Sequence, residues 1–361
     1  MHPEVIGWQE LDNVAVVELF HGPTLAFKDV ALQLLGQLFQ YVLSLRNQRL
    51  NILGATSGDT GSAAIQAVKN SENIDIVVLH PAGKVSEYQR KQMTSVIQDN
   101  VLNIAVEGSY DDCQRIVKNL LSENPFARRI ISLNSINWLR VMGQVSYYVW
   151  LTKQFTAPIN VAIPSGNFGN AYSAWFGREH GLPINEILCS TNVNDVLRRF
   201  IDGGVLEPLM TQPSVAPSMD IQIPSSLERL IFDVSSEAKS FYDQLQTNSK
   251  AQLDEKSVDG LKNVFSSVSF SDEMITNLIT SLHHEFAIIF DPHSVTSVQM
   301  ALDNDSSIPT VAVATASPEK FGNVISPLIN DFTESKIEEK EQYLTLGTEN
   351  NEIIEAIKGF I

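Results

Sequence analysis

Cysteine is scarce in this chain. Cys113 and Cys189 are the only two in 361 residues, too few for a disulfide framework, and they fit a reducing compartment. No apolar run approaches the ~20 residues that span a bilayer. The N-terminal stretch Met1-His-Pro-Glu-Val-Ile-Gly-Trp8 lacks the basic-then-apolar order of a signal peptide, so a soluble, cytoplasmic protein is expected. Positive charge is also in deficit, with 25 basic against 42 acidic residues and a formal net charge of −17. That balance argues against a nucleic-acid surface and leaves room only for a locally positive pocket that takes a small anion. The seven histidines show no H-x-x-x-H spacing, so no metal site is expected. Internal repeats and low-complexity stretches are absent as well.

What is present is an ordinary globular balance, 43 % apolar and 19 % charged residues, long enough for two domains or one domain with a substantial lobe. Short apolar runs alternate with helical patterns, the signature of an α/β sheet with crossover helices. The runs predict strands at Val14–Leu19, Leu50–Ala55, Ile74–Leu79, Val101–Val106, Ile159–Ile163, Glu186–Ser190, Phe286–Phe290 and Thr310–Ala314. After Lys28, Ala31, Leu34, Leu35, Leu38, Val42 and Leu45 recur at helical spacing and are expected to face a core. The polar stretch Ser235–Glu273 reads as a peripheral helical insertion. The acidic Ser335–Gln342 reads as solvated helix or tail.

Three places carry unusual local chemistry. The run Gly54-Ala-Thr-Ser-Gly-Asp-Thr-Gly61 follows a strand and opens a helix. Its glycines and hydroxyls suit an anion at a helix N-terminus, or equally a tight turn capped by Ser57 or Asp59. The run Pro164-Ser-Gly-Asn-Phe-Gly-Asn170 repeats the logic: Gly166 and Gly169 would let the backbone approach a phosphate closely, and a structural turn is the alternative. In Phe27-Lys28-Asp29 a lysine stands at the mouth of an apolar helix, where the helix dipole disfavours a cation. Partial desolvation would make it nucleophilic; the alternative is a solvent-facing lysine. One activated lysine and two anion-cradling turns belong together in an enzyme that binds pyridoxal phosphate and an anionic amino acid.

The same residues resemble a known family. Glu18-Leu-Phe-His-Gly-Pro-Thr-Leu-Ala-Phe-Lys-Asp29, Gly54-Ala-Thr-Ser-Gly-Asp-Thr-Gly-Ser-Ala-Ala64, Asn134-Ser-Ile-Asn-Trp138 and Pro164-Ser-Gly-Asn-Phe-Gly169 are similar to the motifs of threonine synthases, particularly the fungal form. Thr191-Asn-Val-Asn-Asp195, Ser218-Met-Asp220, Asp291-Pro-His293 and Thr315-Ala-Ser-Pro-Glu-Lys-Phe321 continue the series in family order. The resemblance implies the two-lobed α/β fold of the tryptophan synthase β-subunit class of pyridoxal-phosphate enzymes, with the cofactor between the lobes. By position, residues 1–50 would form an N-terminal strand and the Lys28 helix packed on the large lobe. Residues 51–150 would form the smaller lobe and 151–361 the large lobe with the cofactor phosphate loop.

It further implies Lys28 as the Schiff-base lysine, Gly166, Asn167, Phe168, Gly169 and Asn170 at the cofactor phosphate, and Thr315 with its hydroxyl at the pyridine nitrogen. Thr56, Ser57, Asp59 and Thr60 would line the substrate-anion side, joined by Asn137 and Arg140; for Arg140 a surface ion pair is the alternative. Three departures from the family pattern stand out: only 27 residues precede Lys28, so a fold without the usual N-terminal segment is expected, Asn170 stands where the family has an acidic residue, and Ser317 where it has a histidine. The implied activity is conversion of O-phosphohomoserine and water to threonine and phosphate, a lyase step in amino-acid biosynthesis. A phospho-lyase giving 2-oxobutyrate and an inactive cofactor-binding protein are the alternatives. A small-molecule substrate is the only partner implied; nucleic acid and membrane are not.

Overall fold

The computed structural model describes residues 5–56, 58–126, 128–132, 137–333 and 335–361. The chain divides into two compact units, Met1–His21 with Gln144–Glu334, and Gly22–Gly143 with Ser335–Ile361. This differs from the three-segment expectation. The helix that starts at Lys28 belongs to the unit holding residues 51–143, and the C-terminal 27 residues, 335–361, return to that unit rather than to the large lobe.

The first unit is built on a six-stranded sheet. Its strands are β1 (Gly7–Leu11), β2 (Val14–Glu18), β7 (Ile159–Pro164), β8 (Ile184–Thr191), β9 (Phe265–Ser269) and β10 (Thr310–Ala314), in the order β1-β2-β10-β7-β8-β9. Only β1 and β2 pair antiparallel; the remaining neighbours run parallel. Val14, Val16, Ala162, Leu188, Ala312 and Ala314 put one sheet face against the helices α7 (Asp272–Phe286) and α8 (Ser294–Leu302).

The second unit has a five-stranded parallel sheet. Its strands are β3 (Leu50–Ala55), β4 (Ile74–Pro81), β5 (Val101–Val106), β6 (Ile130–Ile131) and β11 (Leu344–Leu346), in the order β11-β5-β4-β3-β6. Both faces are covered, as a parallel sheet requires, and the strand period of two sorts the side chains. Ile52, Ile76 and Val78 face the helices α1 (Lys28–Arg46), α2 (Asp59–Val68) and α3 (Glu87–Thr94). Leu53, Val77 and Leu79 face α4 (Tyr110–Glu123) and the terminal helix α9 (Asn350–Phe360).

Several expectations are corrected. Phe286–Phe290 forms no strand: α7 runs through Phe286 and stops at Ala287 in the left-handed region, φ 55°, after which Ile288 and Ile289 pack on the core without a ladder partner. The polar stretch 235–273 is not a peripheral insertion, because it contains β9, which pairs with β8. The segment 335–342 is fastened rather than free. Glu341 takes a bidentate contact from Arg90 at 2.7 and 2.8 Å and a hydroxyl bond from Thr94 at 2.7 Å. On α1 the expected stripe splits: Ala31 and Leu35 are buried with Leu32 and Leu43, whereas Leu34, Leu38 and Leu45 are exposed. Gly36 sets the packing face, since a Cβ there would stand 2.3 Å from the Ala67 carbonyl oxygen of α2.

Two stability predictions follow from these details. The Arg90 hydrogen bond, then that of Thr94, holds the Glu341 carboxyl below its ordinary value of 4.5. A depressed carboxylate contributes stability that is complete above the ordinary value and lost as pH falls through the folded one. Glu341→Gln should therefore lower Tm at pH 7, and the gap to the parent should close as pH drops below 4.5; a gap constant across that range would refute the assignment. At Gly54, in the middle of β3, nothing lies within 4 Å of an added Cβ and φ is not in the left-handed region. Gly54→Ala should stabilise by about 0.4–1 kcal/mol through the unfolded chain, seen as a Tm rise in thermal denaturation.

Candidate active site

The expected site residues fall in both units and are taken unit by unit. In the second unit, the turn Gly22–Ala26 wraps on the buried Asp29 carboxylate, which accepts from the Thr24 amide at 2.8 Å and the Thr24 hydroxyl at 2.7 Å. Gly22 is needed there, because a Cβ would meet Asp29 at 2.4 Å. This fixes the start of α1, whose first residue is Lys28, with Phe27 as an N-cap that offers no side-chain bond. The Lys28 side chain is 16 % exposed and its amine lies 3.1 Å from Asp59 Oδ2 and 5.2 Å from the Phe27 ring centre. The amine is thus paired and largely shielded, not solvent-facing.

Asp59 opens α2, and its other oxygen accepts from Gln89 Nε2 at 2.8 Å; Gln89 Oε1 in turn accepts from Ser86 at 3.0 Å. The N-cap of α2 is Gly58, at φ 145°, where a side chain would run into Gln89 at 2.6 Å. Asp59, one of the two expected caps, faces Lys28 instead; Ser57, the other, lies outside the described residues. The Thr56 hydroxyl is buried inside the turn, accepting from Gly58 N at 3.0 Å and Gly61 N at 2.9 Å, while Thr60 is half-buried. Asn137 caps α5 (Trp138–Thr152), accepting from Leu139 N at 3.0 Å. Arg140 is 2 % exposed, which removes the surface ion-pair alternative. Most of Asn134–Trp138 lies outside the described residues.

The position of this turn follows from topology. The chain winds from β3 through β4 to β5 on one side and then returns to β6 on the other side of β3. The carboxyl ends of β3 and β6 therefore flank a switch point, where open α/β sheets hold ligands. Thr56–Gly61 follows β3, and Asn137 and Arg140 follow β6.

The first unit repeats the arrangement. From β7 the chain goes to β8 and β9 on one side, then crosses back to β10 on the other. Ser165–Asn170 follows β7 and Thr315 follows its neighbour β10, so both stand at the switch point of this sheet. Phe168 is the N-cap of α6 (Gly169–Glu179) at φ 65°, with no side-chain cap bond. That strained conformation is held by burial of its ring, 5.5 Å from Phe265. Asn167 is committed to the next loop: its side-chain oxygen accepts from Ser225 Oγ at 3.2 Å, and its carbonyl from Ser226 N at 3.1 Å. Asn170 Oδ1 accepts from Tyr147 and Tyr148, each at 2.6 Å, and burial pushes the Tyr148 hydroxyl well above its usual range, keeping it a donor. Asn170 Nδ2 is buried and meets no acceptor among the described residues.

In the first unit, an uncapped helix N-terminus beside an orphaned amide donor fits an anion with several acceptor oxygens, such as a phosphate. In the second unit, Lys28 is a shielded primary amine of the kind that bonds an aldehyde. The cysteines do not compete as nucleophiles, since burial pushes the Cys113 and Cys189 thiols up to about 12.

The remaining motifs support the loop rather than line it. Asn192 and Asn194 donate to Asp220 Oδ1 at 2.7 and 3.1 Å, and Ser214 Oγ does so at 2.6 Å, so the proline-rich segment 207–224 is tied to the end of β8. Its Ser218 carbonyl closes on Gly166, 2.6 Å from where a Cβ would stand. His293 sits between Ser218 N and Asp291. His21 contacts Glu18 at 2.8 Å. Ser317, in place of the family's histidine, caps the short turn Pro318–Phe321. Tyr147, Tyr148 and Gln89 were not expected; buried tyrosines and a helical glutamine carry no local signal that separates them from core residues.

Comparison with known proteins agrees. The chain belongs to the pyridoxal-phosphate dependent enzymes, whose family model matches residues 10–315. Within that class it belongs to the threonine synthase family. It is 40 % identical over 336 residues to threonine synthase of Pseudomonas aeruginosa, covering 90 % of this chain and 72 % of that protein. With the Saccharomyces cerevisiae threonine synthase it is 34 % identical, covering 91 % and 71 %. A pyridoxal-phosphate-bound threonine synthase structure from Brucella melitensis superposes with a TM-score of 0.92 at 35 % identity, covering 99 % of this chain and 81 % of that one. No helix among the described residues is long and apolar enough to cross a membrane.

Proposed function

We propose that the chain converts O-phosphohomoserine and water to threonine and phosphate, as a cytoplasmic enzyme that uses pyridoxal phosphate. The observation that carries this reading is Lys28, a shielded amine paired with Asp59 at the head of the first anion-cradling turn. In this reading Lys28 holds the cofactor aldehyde, Gly166 to Asn170 its phosphate, and Thr315 its ring nitrogen.

The bound cofactor supplies an electron-withdrawing ring that makes protons at Cα and Cβ of the amino acid acidic. The protein does the rest. The Lys28 amine would hold the aldehyde and, toward the substrate, would remove the Cα proton and later return one, as general base and then acid. Asp59, itself fixed by Gln89, aims that amine; a carboxylate in this place repels a phosphate, so Asp59 serves Lys28 and not the substrate anion. The Thr56 hydroxyl takes the Gly58 and Gly61 amides and so shapes the turn, and Thr60, Asn137 and Arg140 hold the anionic ends of the substrate. Thr315 would offer the ring nitrogen a neutral hydroxyl rather than a carboxylate.

The test is to load the protein with pyridoxal phosphate, supply O-phosphohomoserine and follow phosphate and threonine together. Equal release of both is expected. Phosphate with 2-oxobutyrate would show a phospho-lyase, and cofactor binding without either product would show an inactive binder.

A further inference from the structure

In the first unit, a chain of hydrogen bonds runs behind Thr315 that none of the assigned roles uses. Asp291 is fully buried. Its Oδ1 accepts from the His293 amide at 2.9 Å and from His293 Nδ1 at 2.7 Å; its Oδ2 accepts from the Ser294 amide at 3.2 Å and from the Ser294 hydroxyl. The carboxylate thus caps α8 from outside the N-cap position, where His293 itself offers no cap bond. With its hydrogen committed to Asp291, the Ser294 hydroxyl presents a lone pair, and that lone pair accepts from the Thr315 amide at 2.8 Å.

Thr315 lies just past the end of β10, whose pairing with β2 stops at Ala314, and the bond to Ser294 holds its amide. Threonine is β-branched, and its χ1 is restricted once the backbone is set. Fixing the amide therefore narrows the directions open to the hydroxyl. At the other end, His293 Nε2 accepts from the Ser218 amide at 3.1 Å, and the Ser218 carbonyl borders Gly166 in the phosphate loop.

We propose that Ser294, oriented by Asp291, is a positioning residue for Thr315, and that it sets the contact between the Thr315 hydroxyl and the ring nitrogen of the cofactor. This rests on the cofactor reading above. The ring nitrogen is the atom to interrogate, and an analogue with carbon in its place, 1-deazapyridoxal phosphate, does so without touching the aldehyde or the phosphate.

Apo-protein would be titrated with pyridoxal phosphate and with the deaza analogue by fluorescence. The parent should prefer pyridoxal phosphate by roughly tenfold, the size of one net hydrogen bond. Ser294→Ala should erase that preference while keeping its affinity for the analogue within about twofold, and Thr315→Val should do the same. The double variant should lose no more than either single, since the two act on one contact. Ser294→Cys, of similar size with a poorer acceptor, should fall between parent and alanine, and it covers the case in which the alanine variant does not fold. An unchanged preference in Ser294→Ala, or equal weakening toward both ligands, would overturn the positioning role. A parent that binds neither ligand would instead overturn the cofactor reading itself.

Discussion

Replacing Lys28 by alanine should abolish turnover of O-phosphohomoserine, by on the order of 10⁴-fold or more, since general acid–base transfer alone contributes about 10²–10⁴ and the covalent anchor is lost with it. The visible absorbance that develops when the parent takes up pyridoxal phosphate should vanish too. The fold should persist, because Lys28 is the first residue of α1 and alanine is a good helix former. Stability is a separate matter: Asp59 is buried, and removing its cationic partner at 3.1 Å strips compensation from a shielded carboxylate. Lys28→Gln can still donate to Asp59 but cannot bond the aldehyde. Both variants should be inactive and lack the absorbance of the lysine–cofactor bond, and the alanine should show the larger drop in Tm. Turnover retained in either would sink the assignment of Lys28. An equal Tm drop in both would mean that the ion pair, not the hydrogen bond, stabilises the turn.

The two candidate anion turns were legible because each is a local event, a strand followed by glycines and hydroxyls and then a helix. Strand bounds such as Leu50–Ala55 and Thr310–Ala314 could be read for the same reason. Strand order could not, and it is strand order that places Ser165–Asn170 and Thr315 at the ends of adjacent strands. Contacts across 31 residues, as between Lys28 and Asp59, are likewise invisible to spacing. Phe286–Phe290 misled because a short apolar run serves a helix end and a strand equally well. Phe265–Ser269 was missed because an edge strand with three serines is decided by its neighbour β8, not by its own propensity. The helical period after Lys28 was real, but two apolar stripes run along α1, and only the close approach at Gly36 shows which one is buried.

Gly166→Ala and Gly169→Ala should separate the two reasons a phosphate loop uses glycine. At Gly166 an added Cβ would stand 2.6 Å from the Ser218 carbonyl oxygen and 3.1 Å from Met219 Cα. Both are backbone atoms of a segment that Asn192, Asn194 and Ser214 tie to Asp220, so neither can retreat cheaply. Overpacking of this kind costs about 1–3 kcal/mol, and it should appear as a lower Tm of the apo-protein. At Gly169 the nearest atom to an added Cβ is Ser226 Oγ at 3.4 Å, an ordinary contact, and the apo-protein should melt within a degree or so of its parent, as substitutions without a strained contact usually do. If the loop holds the cofactor phosphate, Gly169→Ala should still weaken binding of pyridoxal phosphate, roughly tenfold or more for one lost charge-assisted bond, while leaving pyridoxal, which has no phosphate, unaffected. Equal losses for pyridoxal phosphate and pyridoxal in Gly169→Ala would remove the phosphate from this loop. An unchanged apo Tm in Gly166→Ala would show that the segment 218–220 yields, and that the asparagine–aspartate network does not hold it.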